Sequence, residues 1–151
     1  MVLFAYDGSD PAKSAIREAG RQLSSGRRGL VLSVWEPLAA HPLAGDAAAW
    51  GLLDDDFEAE AAKVADEGAR LARAAGFDAT PLADTGNPVW ERIVDAAAAH
   101  AAELVVLGSH GRTGIGLVLM GSVAESVSRH TELPVLIVHA PPTRGTPAAR
   151  G

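Results

Sequence analysis

The sequence predicts a doubly wound α/β fold, a five-stranded parallel sheet with helices on both faces. Three observations predict it. Short apolar runs alternate with longer stretches of helical periodicity, the sign of successive strand–helix–strand units. One run, Leu104 to Leu107, is wholly apolar, as expected of a strand covered on both faces. Asp7, Gly86 and Gly108 each fall at the carboxyl end of a predicted strand, where open α/β sheets bind their ligands.

The elements follow in order. Val2 to Tyr6 is a strand ended by Asp7-Gly8. Asp10-Pro11 opens a helix, with Asp10 as N-cap, Pro11 at the first helical position, and Ala12, Ala15, Ile16, Ala19 and Leu23 on one face. After the break at Gly26 to Gly29, Leu30 to Trp35 is the second strand. Residues 37–53 read as an irregular loop. Residues 54–75 form the longest helix, with Phe57, Ala61, Val64, Gly68, Leu71 and Ala75 inward. Phe77 to Ala83 is a third, weaker strand. Gly86-Asn87-Pro88 starts a helix that carries Val89, Ile93, Val94, Ala97 and Ala101. The fourth strand, a glycine-rich stretch, a helix around Val123 to Arg129 and a fifth strand, Pro134 to His139, complete the series. Residues 1–140 form one domain, and the Pro/Gly/Arg-rich residues 141–151 read as a disordered tail.

Composition narrows the function. The chain of 151 residues is 48% hydrophobic and 21% charged, with a formal charge of −6. An acidic surface argues against binding a nucleic-acid backbone. It does not argue against a small anion, because backbone N–H groups hold phosphate without side-chain charge. There is no cysteine, which excludes disulfides, thiolate catalysis and Cys-based zinc sites. The N-terminal run is too short for a signal peptide, and no window reaches membrane-span length. The expectation is a cytoplasmic protein with no membrane and no nucleic-acid partner.

The most informative stretch is Gly108-Ser109-His110-Gly111-Arg112-Thr113-Gly114-Ile115-Gly116, continuing to Gly121-Ser122-Val123. Five glycines fall within fourteen residues, after a buried strand and before a helix. Glycines let another group approach the backbone closely, and N–H groups in such a loop, ahead of a helix N-terminus, form an anion nest. The same glycines would also permit a tight strand-to-helix connection and nothing more. No G-x-x-x-x-G-K-[ST] occurs, and no G-x-G-x-x-G follows the first strand. A P-loop NTPase and a dinucleotide-binding domain are therefore not indicated.

The spacing G-x2-G-x9-G-[ST], present as Gly108, Gly111, Gly121 and Ser122, resembles the signature of ATP-binding universal stress proteins. Asp7 with Gly8-Ser9, Gly86-Asn87-Pro88, and Pro134-Val135-Leu136-Ile137-Val138 stand in the family's order over residues 1–140. The resemblance implies strand order 3-2-1-4-5. It also implies that Asp7 contacts ribose or base and that the Val34 backbone meets adenine. Leu107 would line the pocket, and Gly108 would meet ribose and the first phosphates. Gly111, Gly121, Ser122 and Val123 would hold phosphates through N–H groups. The complete motif implies the ATP-binding branch, with Mg2+ held mainly by the phosphates. It further implies a homodimer through the Pro134–His139 strand.

Other readings stand beside these. The alternative for Asp7 is a turn residue capping the first helix with Ser9. His110 is positioned to touch phosphate or to face water, and so are Arg112 and Thr113. His100, His130 and His139 show no metal-ligand spacing. Trp35, Trp50 and Trp90 read as packing groups, and Asp54-Asp55-Asp56 as helix-start charge. Two function classes remain: a nucleotide-dependent regulatory module acting on a protein partner, and a slow ATPase or nucleotide hydrolase. The sequence offers no catalytic carboxylate, arginine finger or metal cage for the second.

Overall fold

A computed structural model describes residues 1–37, 47–111 and 120–139, without the side chains of residues 47–55. The elements are β1 (Val2–Ala5), α1 (Asp10–Gln22), β2 (Arg28–Trp35), α2 (Ala47–Ala74), β3 (Asp78–Thr85), α3 (Val89–Ala99), β4 (Leu104–Gly108), α4 (Ser122–His130) and β5 (Val135–Val138). The five strands form one sheet in the order β3-β2-β1-β4-β5, every pair parallel. The expected fold class and strand order are both observed. The tail at 141–151, most of the 37–53 loop, Arg112 and Thr113 lie outside the described residues.

Strand alternation splits the core in two. Val2, Phe4, Tyr6, Val31 and Val106 face α1 and α2. Leu3, Leu32, Val105 and Leu107 face α3 and α4, meeting Ile93 and Val127. Both faces of β1 and β4 are thus buried, which is why those strands read as unbroken apolar runs.

Several boundaries differ from the sequence reading, each for a physical reason. The N-cap of α1 is Ser9, not Asp10: the Ser9 hydroxyl accepts from the Ala12 N–H at 3.3 Å. Helix α2 begins at Ala47, inside the span read as loop. Its start is alanine-rich, so helix propensity carries it where no amphipathic pattern exists. Phe57, expected inward, is 45% exposed. The buried face is built instead from Ala61, Ala65, Gly68, Ala69 and Ala72. These small residues bring α2 close to the sheet, and a Cβ on Gly68 would stand 2.6 Å from Cδ1 of Tyr6. Strand β3 is not weak: its eight residues pair in register with all eight of β2. Phe77 precedes it and packs edge-on against Phe4, ring centroids 5.0 Å apart. Ala101 lies beyond α3, exposed, with φ 51°.

The two sheet edges differ. On β3, the Asp78 N–H donates to Arg27, so alternation turns the polar groups of Ala79 and Pro81 outward. Arg73 Nε donates to the Ala79 carbonyl at 2.9 Å, and Pro81 has no N–H to offer. Strand β5, Val-Leu-Ile-Val, carries neither device.

Candidate functional site

A cavity of about 700 Å3 opens at the carboxyl ends of β1, β2 and β4, where the strand order reverses direction. Its size falls within the range of about 300–1,000 Å3 usual for small-molecule sites. All nine residues singled out from the sequence line it. Asp7 comes from the end of β1 and Val34 from β2. Leu107, Gly108, His110 and Gly111 come from β4 and the loop after it. Gly121, Ser122 and Val123 come from the start of α4.

At β2, the Leu32 carbonyl accepts from the Tyr6 N–H at 2.9 Å. Alternation turns the N–H and C=O of Val34 toward the same side, past the point where β1 has ended. They face the cavity mouth rather than another strand.

At β1, Asp7 does two things. Its Oδ1 accepts from the Ser9 N–H at 3.0 Å, the turn role weighed for it in the sequence. Its Oδ2 lies against Gly111, where a Cβ would come within 2.7 Å of it. Gly108 also has a structural duty, because a Cβ there would stand 2.6 Å from the Pro11 carbonyl carbon and 2.7 Å from the Ala12 nitrogen. The tight-connection reading therefore holds for Gly108, while Gly111 is open to solvent on its other side.

At α4, Gly121 is the N-cap and accepts the first helical bond, from Glu125. The N–H groups of Ser122, Val123 and Ala124 have no intrahelical partner, and all three residues line the cavity. The Gly121 N–H differs from expectation: it donates to the Ser109 carbonyl at 2.6 Å and so is engaged within the protein. The positive end of the α4 dipole therefore faces the cavity through three N–H groups.

Ser109 organises this corner. It is 1% exposed; its N–H donates to the Val138 carbonyl at 2.9 Å, and its hydroxyl lies 2.9 Å from Nδ1 of His110. The bond to Nδ1 holds the His110 ring at the cavity wall. No sequence pattern marks Ser109, because a serine beside a glycine reads as turn chemistry.

The walls include other residues that sequence reasoning passed over: Tyr6, Ser33, Glu36, Phe57, Glu60 and Val64 among them. Tyr6 is 3% exposed, and its hydroxyl donates to Glu67 at 3.0 Å. Burial, then the Glu67 carboxylate, pushes the Tyr6 hydroxyl above its ordinary value. Glu67 moves below the usual carboxylate range, first through Lys13, 3.1 Å away, and then through Tyr6. Among the described residues no lysine or arginine lines the cavity, and none of their His, Asp and Glu side chains group as metal ligands. His130 stacks on Trp90 with ring centroids 4.2 Å apart, between α3 and α4, away from the cavity lining.

A sequence model of the universal stress protein family matches residues 1–139. The chain belongs to that family. A universal stress protein of Thermus aquaticus, from the QAH/OAS sulfhydrylase 3′ region, is 33% identical over 148 residues; the match covers 91% of this chain and 96% of the relative. Among solved structures, that of the hypothetical protein MJ0577 superposes with a TM-score of 0.78 at 24% identity, covering 91% of this chain and 94% of its own. A universal stress protein crystallised in complex with cAMP superposes with a TM-score of 0.64 at 25% identity, covering 93% of this chain and 96% of its own. Among the described residues, no helix of this universal stress protein is long and apolar enough to cross a membrane.

Proposed function

We propose that this universal stress protein binds an adenine nucleotide, ATP in particular, and acts as a nucleotide-dependent regulatory module of the stress response. The observation that carries the reading is the polarity of the cavity. One end presents the N–H groups of Ser122, Val123 and Ala124 at a helix N-terminus, and the other is walled by β2 and by Val89 and Ile93 of α3. Neighbouring strands lie about 4.8 Å apart, so β4 and β2 are separated by about 10 Å. A nucleotide laid across the strands places its phosphates at β4 and α4, its ribose at Asp7 on β1, and its base at β2. A solved family member holds cAMP, which has the same base and ribose.

Backbone N–H groups are the natural phosphate ligands here, because the acidic Asp7, Glu36 and Glu60 line the same cavity. Mg2+ supplies the counter-charge, bound by the phosphates themselves, since the described residues offer no carboxylate cage. The outward groups of Val34 are a donor and an acceptor in fixed order, which suits adenine's edge and mismatches guanine's. The chain pairs with a second copy through β5, whose bare apolar edge is hazardous when unpaired.

The test is direct. Protein purified without added nucleotide is denatured, and the released ligand is read by mass spectrometry. Adenine nucleotide at near one per chain is expected, as is calorimetric binding of MgATP tighter than MgGTP. Equal affinity for the two, or binding of neither, overturns the reading. Single-turnover phosphate release at no more than the uncatalysed rate is the result expected of a module rather than an ATPase. Light scattering at micromolar concentration is expected to give the mass of two chains.

A further inference from the structure

Three serines are buried in the described core: Ser9, Ser33 and Ser109. Ser9 uses its hydroxyl to cap α1, and Ser109 uses its own on His110. Ser33 is 5% exposed, and among the described residues nothing is hydrogen-bonded to its hydroxyl. A buried hydroxyl without a partner is unfavourable, by roughly the desolvation cost of the group, so a retained one calls for a partner that the protein itself does not supply. Ser33 lines the cavity, on β2 next to Val34.

We infer that the Ser33 hydroxyl is a ligand for the base of the bound nucleotide and so a determinant of which nucleoside the site accepts. The inference rests on the nucleotide-binding reading above and adds to it a side-chain contact at the base end. Position decides which part of the ligand is met. The phosphate donors lie on α4 and the ribose carboxylate on β1. Ser33 is on β2, one strand further from the phosphates than Asp7. Alternation puts its side chain on the face of Val31, toward α2, where Phe57, Ala61 and Val64 line the same cavity, so the hydroxyl is a polar point among apolar groups suited to a flat ring. A hydroxyl both donates and accepts, so it pairs with a ring nitrogen or an exocyclic amine of a purine. An apolar isostere of that edge would leave it orphaned again, and selectivity follows from that loss.

The consequence separates binding from stability. Removing one member of a protein–ligand hydrogen bond lowers affinity, whereas removing an orphaned buried hydroxyl from the free protein costs nothing. Ser33→Ala is therefore expected to bind adenosine, AMP and MgATP each about tenfold more weakly, by a common factor, because the base is common to all three. Inorganic triphosphate, which lacks a base, is expected to bind wild type and Ser33→Ala alike. The melting temperature of the ligand-free variant is expected to equal or exceed that of wild type.

Calorimetry with these four ligands on both proteins, with thermal unfolding of each, gives the answer. A ligand-free Ser33→Ala that melts lower, or unchanged affinity for all three nucleosides and nucleotides, overturns the inference and assigns the hydroxyl to the protein or to a buried water. A loss confined to MgATP also overturns it, by moving Ser33 to the phosphate end. Wild-type protein that binds no adenine compound fails the underlying functional reading instead, and the Ser33 inference with it. Binding by wild type that Ser33→Ala retains in full fails this inference alone.

Discussion

Oδ2 of Asp7 lies so close over Gly111 that a single methyl carbon on that glycine would come within 2.7 Å of it. The other oxygen of the same carboxylate holds the Ser9 N–H at the start of α1. One side chain thus fixes the turn after β1 and sets the gap between that turn and the glycine loop.

The gap makes Gly111 and Asp7 energetically coupled. Gly111→Ala is expected to displace the carboxylate and weaken MgATP binding about tenfold, with little change in melting temperature because Gly111 is exposed. In an Asp7→Ala background the same change has nothing to strike. A double-mutant cycle on MgATP affinity should show non-additivity of about 0.5–3 kcal/mol, the range for residues in contact. Strict additivity would mean that the two act separately.

Asp7 itself is not purely a ligand residue. Asp7→Ala removes the acceptor for Ser9 and is expected to lower stability by about 1 kcal/mol in addition to weakening the nucleotide. Asp7→Asn keeps an acceptor oxygen there while removing the charge. Denaturant unfolding should place its stability near wild type, with nucleotide affinity still reduced.

Gly108 belongs to a different class from Gly111. Its missing Cβ is replaced by backbone atoms of the α1 first turn, at 2.6 and 2.7 Å, which yield only if the helix moves. Gly108→Ala is expected to cost about 1–3 kcal/mol, the scale of overpacking. Gly68→Ala, pressed against the Tyr6 ring at 2.6 Å, is expected to fall in the same range. Urea titrations with unchanged midpoints would contradict both.

The Tyr6–Glu67–Lys13 cluster sets a pH window. The folded-state value of Glu67 is lowered, so its contribution is present above its unfolded value of about 4.3 and is lost as pH falls through the folded value. The folded-state value of Tyr6 is raised, so its contribution is present below about 10 and is lost as pH rises through the folded value. Unfolding free energy measured across pH should therefore fall at both limits. Glu67→Gln should flatten the acid limb, and Tyr6→Phe the alkaline one.

What the sequence disclosed follows from where the chemistry sits. The apolar runs of β1 and β4 and the glycine spacing after β4 are local patterns, and they located the cavity; the roles of Val34, Leu107 and the other lining residues came from the family resemblance. The strand order came from family resemblance, since periodicity does not order strands. The start of α2 was missed because alanines at 47–49 favour helix without marking a face. Phe57 was misplaced because its size suggested burial, whereas α2 packs through alanines and Gly68. Ser33 and Ser109 gave no signal, since a lone serine has no pattern. Their significance is a matter of which hydroxyls find partners in three dimensions.

The contrast between the sheet's edges sets a valence. At β3 an arginine occupies an outward carbonyl and a proline removes an outward donor, so the ladder cannot readily be extended there. At β5, among the described residues, neither device occurs. A molecule with a single adhesive rim has a valence of one: rim-to-rim contact joins two sheets and then has nowhere to continue. The fold thus discourages fibre growth by its asymmetry, with no charge on β5 itself.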